Sequence, residues 1–343
     1  MPDQQIDFDS DTISPAVMVR SSDSSNTFHT ILLIFAMAVL AGFVGLVLGG
    51  KMGLIGAVLL TIFGLAFGSR ASAALILRMY KAQPIHPHQA PQLFEIYDEL
   101  CRRAQLSPKP KLFYIPSKMP NAFAVGVGNN SSVALTDGII RMMNPRELEG
   151  ILAHELTHVQ CRDTSVLGVA DIISRTISAL SRVGLLMLFF SMGSMFGKTA
   201  VPFWTTGAIL FFSPSIAIML QLALSRTREF NADRGAAELT GDAMGLASAL
   251  KKLEHVIERG VFEKILRPGM RRQQPAMLRT HPPTEDRLAA LMEIAKELES
   301  SKSGDADRSL PAEFDSGAPY APPAEVTRKI KNPRYHFFSG LWR

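Results

Sequence analysis

Polar residues drop out of the chain in two long regions, and each region splits into a pair of apolar runs. Thr30 to Gly50 carries no charge, is rich in Leu, Val, Ile, Phe and Ala, and is long enough to cross a bilayer as a helix. Lys51 interrupts it, and Met52 to Ser69 is a second uncharged run near the short limit for spanning. So brief a connection predicts an antiparallel hairpin over residues 30–69. A cleaved signal peptide fits poorly: the apolar core is too long, the preceding segment is acidic and a second apolar run follows at once. The other region, about residues 176–224, is less regular, with Arg182 inside it, Lys198 near its middle, and Pro202 and Pro214 as interruptions. Taking Lys198 as an outer tip predicts a second hairpin. Val183–Gly197 is short for a crossing, so either Arg182 snorkels to the interface or the hairpin only dips into the bilayer. Two full spans, four in all, is the expectation carried forward.

Elsewhere the period of the pattern changes. Residues 90–106 place Leu93, Ile96, Tyr97 and Leu100 at helical spacing. Short strands are predicted at Lys111–Ile115, Ala122–Val127 and Ser132–Thr136, separated by Pro, Gly and Asn. The strongest helix start follows: Asn144 as N-cap, Pro145 at the first helical position, and Glu147 completing a capping box. A further helix is expected over SRTREFNADRGAAELTG, ended by Gly241. The next covers 242–259, with Leu246, Leu250, Leu253 and Ile257 on one face and Gly260 as its stop. A last helix starts near Thr284. Residues 1–29 read as a flexible acidic lead-in, and 301–343, rich in Ser, Asp, Pro and Gly, as a mobile tail. The fold class is mainly α with a small β-sheet (α+β), its soluble part over 70–300 interrupted by the second hairpin.

Composition sharpens this picture. The chain of 343 residues is 47% hydrophobic yet 20% charged, which suits a soluble part joined to membrane segments. Its net charge of +5 does not point to nucleic acid, because no basic-aromatic stripe or nucleic-acid motif accompanies it. The basic residues instead gather beside apolar runs. Arg70, Arg78 and Lys81 follow the second run while the hairpin tip offers only Lys51, so the positive-inside bias puts residues 70 onward, and the N-terminus, in the cytoplasm. The two cysteines, Cys101 and Cys161, form no spacing pattern, which predicts no disulfide framework and a reducing compartment for the soluble part.

The decisive motif is His154-Glu155-Leu156-Thr157-His158. On a helix, positions i and i+4 stand on one face a turn apart, so both imidazoles can reach one zinc ion. Glu155 stands beside that metal as general base, taking a proton from the attacking water and passing it to the leaving amine. Two surface histidines flanking a helical glutamate would show the same spacing, but here Ile151, Leu152 and Leu156 give the helix an apolar face. Catalytic zinc takes three protein ligands. No third His follows closely, since positions 161 and 164 are Cys and Thr. Cys161 is weighed as a ligand and read as a packing residue. Glu229 and Asp233 share a helix face at i, i+4, so one can bind zinc while the other braces a ligating imidazole, unless the pair is simply a solvated face.

HELTH followed after an apolar insertion by SRTREFNAD, together with MPNAFAVG (119–126), SSVALTDGII (131–140) and THPPTEDRL (280–288), resembles the HtpX family of membrane-bound zinc metalloproteases. These are gluzincins related to the CAAX prenyl endopeptidases, and the likeness covers roughly residues 30 to 300. The resemblance implies that His154, His158 and Glu229 bind one zinc per chain, that Glu155 is the catalytic base and that Asp233 supports the ligands. It also implies that Asn121 and strand 131–136 line the substrate cleft, as an exposed edge strand holding an extended peptide, or else that Asn121 is a turn residue. His281 and Arg287 are implied to stabilise an oxyanion or to cap the last helix, and Asp163 to anchor or cap the end of the zinc helix. The implied activity is endopeptidase cleavage of misfolded or damaged membrane proteins at the cytoplasmic face of the inner membrane. Partners are then polypeptide substrates and the lipid bilayer; a homo-oligomer is compatible with the sequence. Two rivals are carried: a prenyl-protein endopeptidase, which needs a larger membrane chamber, and a non-catalytic zinc-binding scaffold, which has no use for Glu155.

Overall fold

Two adjacent glycines turn the first apolar stretch back on itself. In the computed structural model, which describes residues 23–68, 73–191, 200–266 and 284–302, helix α1 (Asp23–Gly68) is broken at Gly49 and Gly50. Gly50 has φ 56°, a conformation that disfavours any residue with a Cβ. The halves run side by side: a Cβ on Gly45 would lie 2.5 Å from the Gly53 carbonyl oxygen. Residues 1–22, Lys198, His281 and the tail from 303 lie outside the described residues.

Helices α6 (Asp163–Ser191) and α7 (Ala200–Thr240) pack on this hairpin. Met37, Ala41 and Val44 of α1 form one buried apolar cluster with Ala170, Ile173 and Ile177 of α6 and Leu210, Ala217 and Leu224 of α7. The outward faces are apolar too: Phe35, Phe63, Met187, Phe190, Trp204 and Met219 are all exposed. Such surface suits hydrocarbon as solvent, and helices satisfy their own backbone there. Among the described residues, three helices, Thr27–Ala66 with its break, Asp163–Phe190 and Trp204–Thr240, are long and apolar enough to cross a membrane.

The second apolar region differs from expectation. Its first helix begins at Asp163, ahead of the apolar run expected from about 176. Its second helix is one rod through Pro202, Pro214 and Glu229 to Thr240, ended by Gly241 at φ 69°. Pro202 lies in the first turn, where no helical donor is missed. Pro214 withholds a single donor in mid-helix, a loss that packed neighbours absorb.

The soluble part is built around α5 (Pro145–Gln160). Its start is capped as the sequence predicts: Asn144 Oδ1 accepts from the Glu147 amide at 2.8 Å and Glu147 Oε2 from the Asn144 amide at 3.0 Å. Glu147 also accepts from Lys252 Nζ and Ser248 Oγ of α8 (Ala243–Leu266), each at 2.6 Å, so the cap doubles as a helix–helix tie. The helix α8 runs through Gly260, where a stop was expected; a helical glycine costs only about 1 kcal/mol against alanine. Leu148, Ile151, Leu152 and Leu156 are fully buried in one core. Leu93 and Tyr97 of α3 (Pro91–Arg103), Leu246 and Leu250 of α8, and Leu291 of α9 (Thr284–Lys302) meet them there. Helix α2 (Ala73–Met79) and α4 (Asp137–Met142) complete the described α-helices.

The sheet has the order β1-β2-β4-β3, from β1 (Gln83–Pro84), β2 (Lys111–Ile115), β3 (Ala122–Val125) and β4 (Ser132–Thr136). β2 and β4 are parallel, with Leu112 opposite Val133, and β3 and β4 antiparallel, with Ala122 opposite Leu135. This corrects one expectation: strand 131–136 is not an exposed edge. β4 is paired on both sides and every residue in it is buried, so the edges are β3 and the two-residue β1. β3 stops at Val125 because Gly126 turns the chain at φ 86°.

Candidate metal centre

Helix α7 delivers its acidic face to α5 through a close crossing. A Cβ on Gly235 would lie 2.4 Å from Thr157 Cγ2, so only a glycine lets the two helices approach this far. The crossing faces Glu229 and Asp233, 3% and 0% exposed, toward His154 and His158 of α5. Burial rules out the solvated-face reading of the acidic pair.

Three ligand atoms converge, all within 4.8 Å of one another, from His154, His158 and Glu229. The two Nε2 atoms are 3.1 Å apart; His154 Nε2 lies 3.4 Å from Glu229 Oε2 and His158 Nε2 lies 3.6 Å from Glu229 Oε1. A tetrahedral ion with N and O ligands at about 2.0–2.1 Å needs ligand–ligand edges of about 3.3 Å. The donor set therefore fits a single tetrahedral metal ion, with Glu229 able to present either oxygen. Both outer ring nitrogens face carboxylates: His154 Nδ1 is 3.0 Å from Asp233 Oδ1, and His158 Nδ1 is 2.7 Å from Asp163 Oδ2. That pattern turns each Nε2 toward the metal position. Burial disfavours a charged His154, but the Asp233 and Glu229 carboxylates more than offset it and push the imidazole up to about 9.

Each carboxylate is in turn gripped by an arginine. Arg287 of α9 donates to Asp233 through Nε at 2.7 Å and Nη2 at 2.6 Å, and its Nη1 is 3.6 Å from Glu229 Oε2. Burial opposes the charge on Arg287, yet the Asp233, Glu229 and Glu155 carboxylates raise its pKa. Arg228 grips Asp163 from the other side.

Residues 87–295 match peptidase family M48. The chain is 36% identical over 285 residues to a protease HtpX homolog of Salinibacter ruber, covering 79% of this chain and 98% of that one. It is 35% identical over 283 residues to a protease HtpX homolog of Ralstonia pickettii, covering 79% and 97%. The chain belongs to the HtpX family of M48 peptidases. The crystal structure of S. mikatae Ste24p is similar over 78% of this chain and 65% of that one, at 17% identity and a TM-score of 0.39, too distant a likeness to carry an argument. As an M48 member with apolar helices of spanning length, the protein is a membrane-integrated metallopeptidase, a metal-dependent hydrolase acting on polypeptides.

Within this HtpX-family framework the remaining site residues fall as follows. Glu155 is buried at 4% exposure on α5, between the two histidines in sequence. Asn121 is buried just before β3; its amide donates to Thr136 Oγ1 at 2.8 Å, while its side-chain Oδ1 has no hydrogen-bond partner among the described residues. Arg287 does not serve as an end cap of α9, since its guanidinium is spent on Asp233. Cys161 lies outside the converging set, as the C-cap of α5. Asp163 is more than a cap: it opens α6 and its carboxylate bridges His158 and Arg228. The part of Arg228 was missed by sequence reasoning. It adjoins Glu229 in the chain, but nothing in local spacing announces a pairing with Asp163 across 65 residues.

Proposed function

We propose that the metal is zinc, held by His154, His158 and Glu229, and that the protein is an endopeptidase in which Glu155 is the general base. Three buried donor atoms converging at tetrahedral spacing beside a buried glutamate carry this reading. When bound, zinc lowers the pKa of an attacking water and polarises the scissile carbonyl. Glu155 accepts the water's proton and returns it to the leaving amine. Asp233 supports His154, and Arg287, held between Asp233 and Glu229, offsets part of the negative charge of the acidic cluster. The unmatched Oδ1 of Asn121, at the start of edge strand β3, suits a hydrogen bond to an extended peptide added along that edge.

Residues 30–69 and 176–224 then form two membrane hairpins, with the peptidase unit over 70–300 in the cytoplasm under the inner membrane. The α7 rod, which runs from apolar helix to metal ligand, supports membrane proteins as substrates, in quality control of misfolded or damaged chains. Zinc content and cleavage of casein or a membrane protein, measured on the detergent-solubilised wild type and on Glu155→Gln, test the reading. Both should hold about one zinc per chain. The variant should lose on the order of 10²–10⁴-fold in turnover. Equal cleavage by the two proteins removes Glu155 from the mechanism.

A further inference from the structure

Arg228 is not a metal ligand, yet its side chain is only 10% exposed. A guanidinium kept this far from water needs its donors matched. The matches come from three different elements. Nε and Nη2 both reach Asp163 Oδ1 at the start of α6. Nη2 also donates to the Cys161 carbonyl, the C-cap of α5, at 3.1 Å. Nη1 lies 3.5 Å from Thr30 Oγ1 on α1. The second oxygen of Asp163, Oδ2, accepts from His158 Nδ1 at 2.7 Å.

We infer that Arg228 is a positioning residue for the metal centre: through Asp163 it holds His158 in the rotamer and tautomer that turn Nε2 toward the metal, and through Cys161 and Thr30 it ties that arrangement to the end of α5 and to the first apolar helix. This rests on the reading of His154, His158 and Glu229 as the ligand set. Asp163 is 1% exposed, so without Arg228 its buried charge keeps one imidazole N–H as side-chain partner among the described residues and loses both donors on Oδ1. A lysine retains the charge but, as a point donor on a flexible stem, cannot fork onto Asp163 while meeting the Cys161 carbonyl. The neighbouring brace, Asp233 with Arg287, reaches His154 and Glu229 but not His158, so it does not substitute.

The test uses the full chain in detergent. Zinc affinity is measured by chelator competition, and the melting temperature is measured on zinc-stripped protein. The proteins are wild type, Arg228→Lys, Arg228→Met, Asp163→Asn and the Arg228→Met/Asp163→Asn double variant. Arg228→Met and Asp163→Asn should each weaken zinc binding by about 10- to 100-fold, and Arg228→Lys by a smaller factor in the same direction. The double variant should bind no more weakly than Asp163→Asn, because both changes act along one path. Two results overturn the role: zinc affinity unchanged in both Arg228 variants, whatever the melting temperature does, or losses that multiply in the double variant. If Arg228→Met does not fold, the zinc affinity of Arg228→Lys decides alone. A wild type that binds no zinc sinks the ligand assignment instead, which separates that failure from this one.

Discussion

His154 and His158 stand one turn apart on α5, and each turns Nδ1 to a carboxylate gripped by an arginine, but the two supports come from different parts of the molecule. On the His154 side, Asp233 and Arg287 are 0% and 2% exposed and belong to the crossing of α7 with the last helix, beside the soluble core. On the His158 side, Asp163 and Arg228 lie where α5, α6, α7 and α1 meet, against the apolar helices. The first support is made when α9 docks; the second when the apolar helices pack. A metal centre bracketed in this way is complete only when both parts of the fold are in place. It also means the two supports should fail differently.

The sharpest contrast is expected from Arg287→Met. It leaves Asp233 and Glu229 buried side by side without their cation, and breaking a buried pair on one side costs roughly 3–5 kcal/mol. Thermal unfolding in detergent should show a loss of that size, larger than for Arg228→Lys; equal losses would erase the distinction between the supports. Next comes Gly235→Leu, which drives a side chain into Thr157 at the crossing that both supports share. Overpacking of this kind costs about 1–3 kcal/mol, and zinc content should fall with it, since α7 carries Glu229, Asp233 and Arg228 together.

Glu147→Gln probes the far end of α5 and should leave zinc affinity at pH 7 unchanged while costing about 1 kcal/mol of stability. Burial raises the Glu147 pKa, but hydrogen bonds from Lys252, Ser248 and the Asn144 amide outweigh it and hold the carboxyl below its usual range. A lowered folded pKa means the contribution is complete above the unfolded carboxylate value and is lost as pH falls through the folded value. The stability gap between wild type and variant should therefore close on acidification, as read from melting curves against pH. Smallest of all is Thr30→Val, which removes one exchangeable hydroxyl contact to Arg228. A loss of roughly 0.5 kcal/mol, with zinc affinity moved in the direction of the Arg228 variants, would tie the first apolar helix to the His158 side alone.

Much of this is legible in the sequence. The apolar runs, the Asn144–Glu147 capping box and the HELTH spacing are local features, settled within a turn or two of helix or by length against a bilayer. The same holds for the short strands β2 to β4, set apart by Pro, Gly and Asn, and for the i, i+4 pairing of Glu229 with Asp233. Boundaries were less legible. Proline and glycine read as breaks at Pro202, Pro214 and Gly260, yet helical packing carried the chain through each of them.

Pairing between distant elements was not legible at all. A strand's own residues do not say whether it lies inside a sheet or at its edge, so β4 looked like the substrate edge until its parallel partner β2 took one side and left β3 open. Likewise, the family resemblance implied His154, His158 and Glu229 as ligands, but Arg287 was read as an oxyanion or capping residue and Arg228 was not singled out. Arg287 meets Asp233 across 54 residues and Arg228 meets Asp163 across 65. From its sequence alone this protein determines its helices, its apolar spans and the i, i+4 pairs His154 with His158 and Glu229 with Asp233, because those depend on near neighbours and on solvent. Only the tertiary structure decides which buried charges compensate one another, because desolvation makes each arginine and carboxylate depend on a partner that the chain brings near by folding.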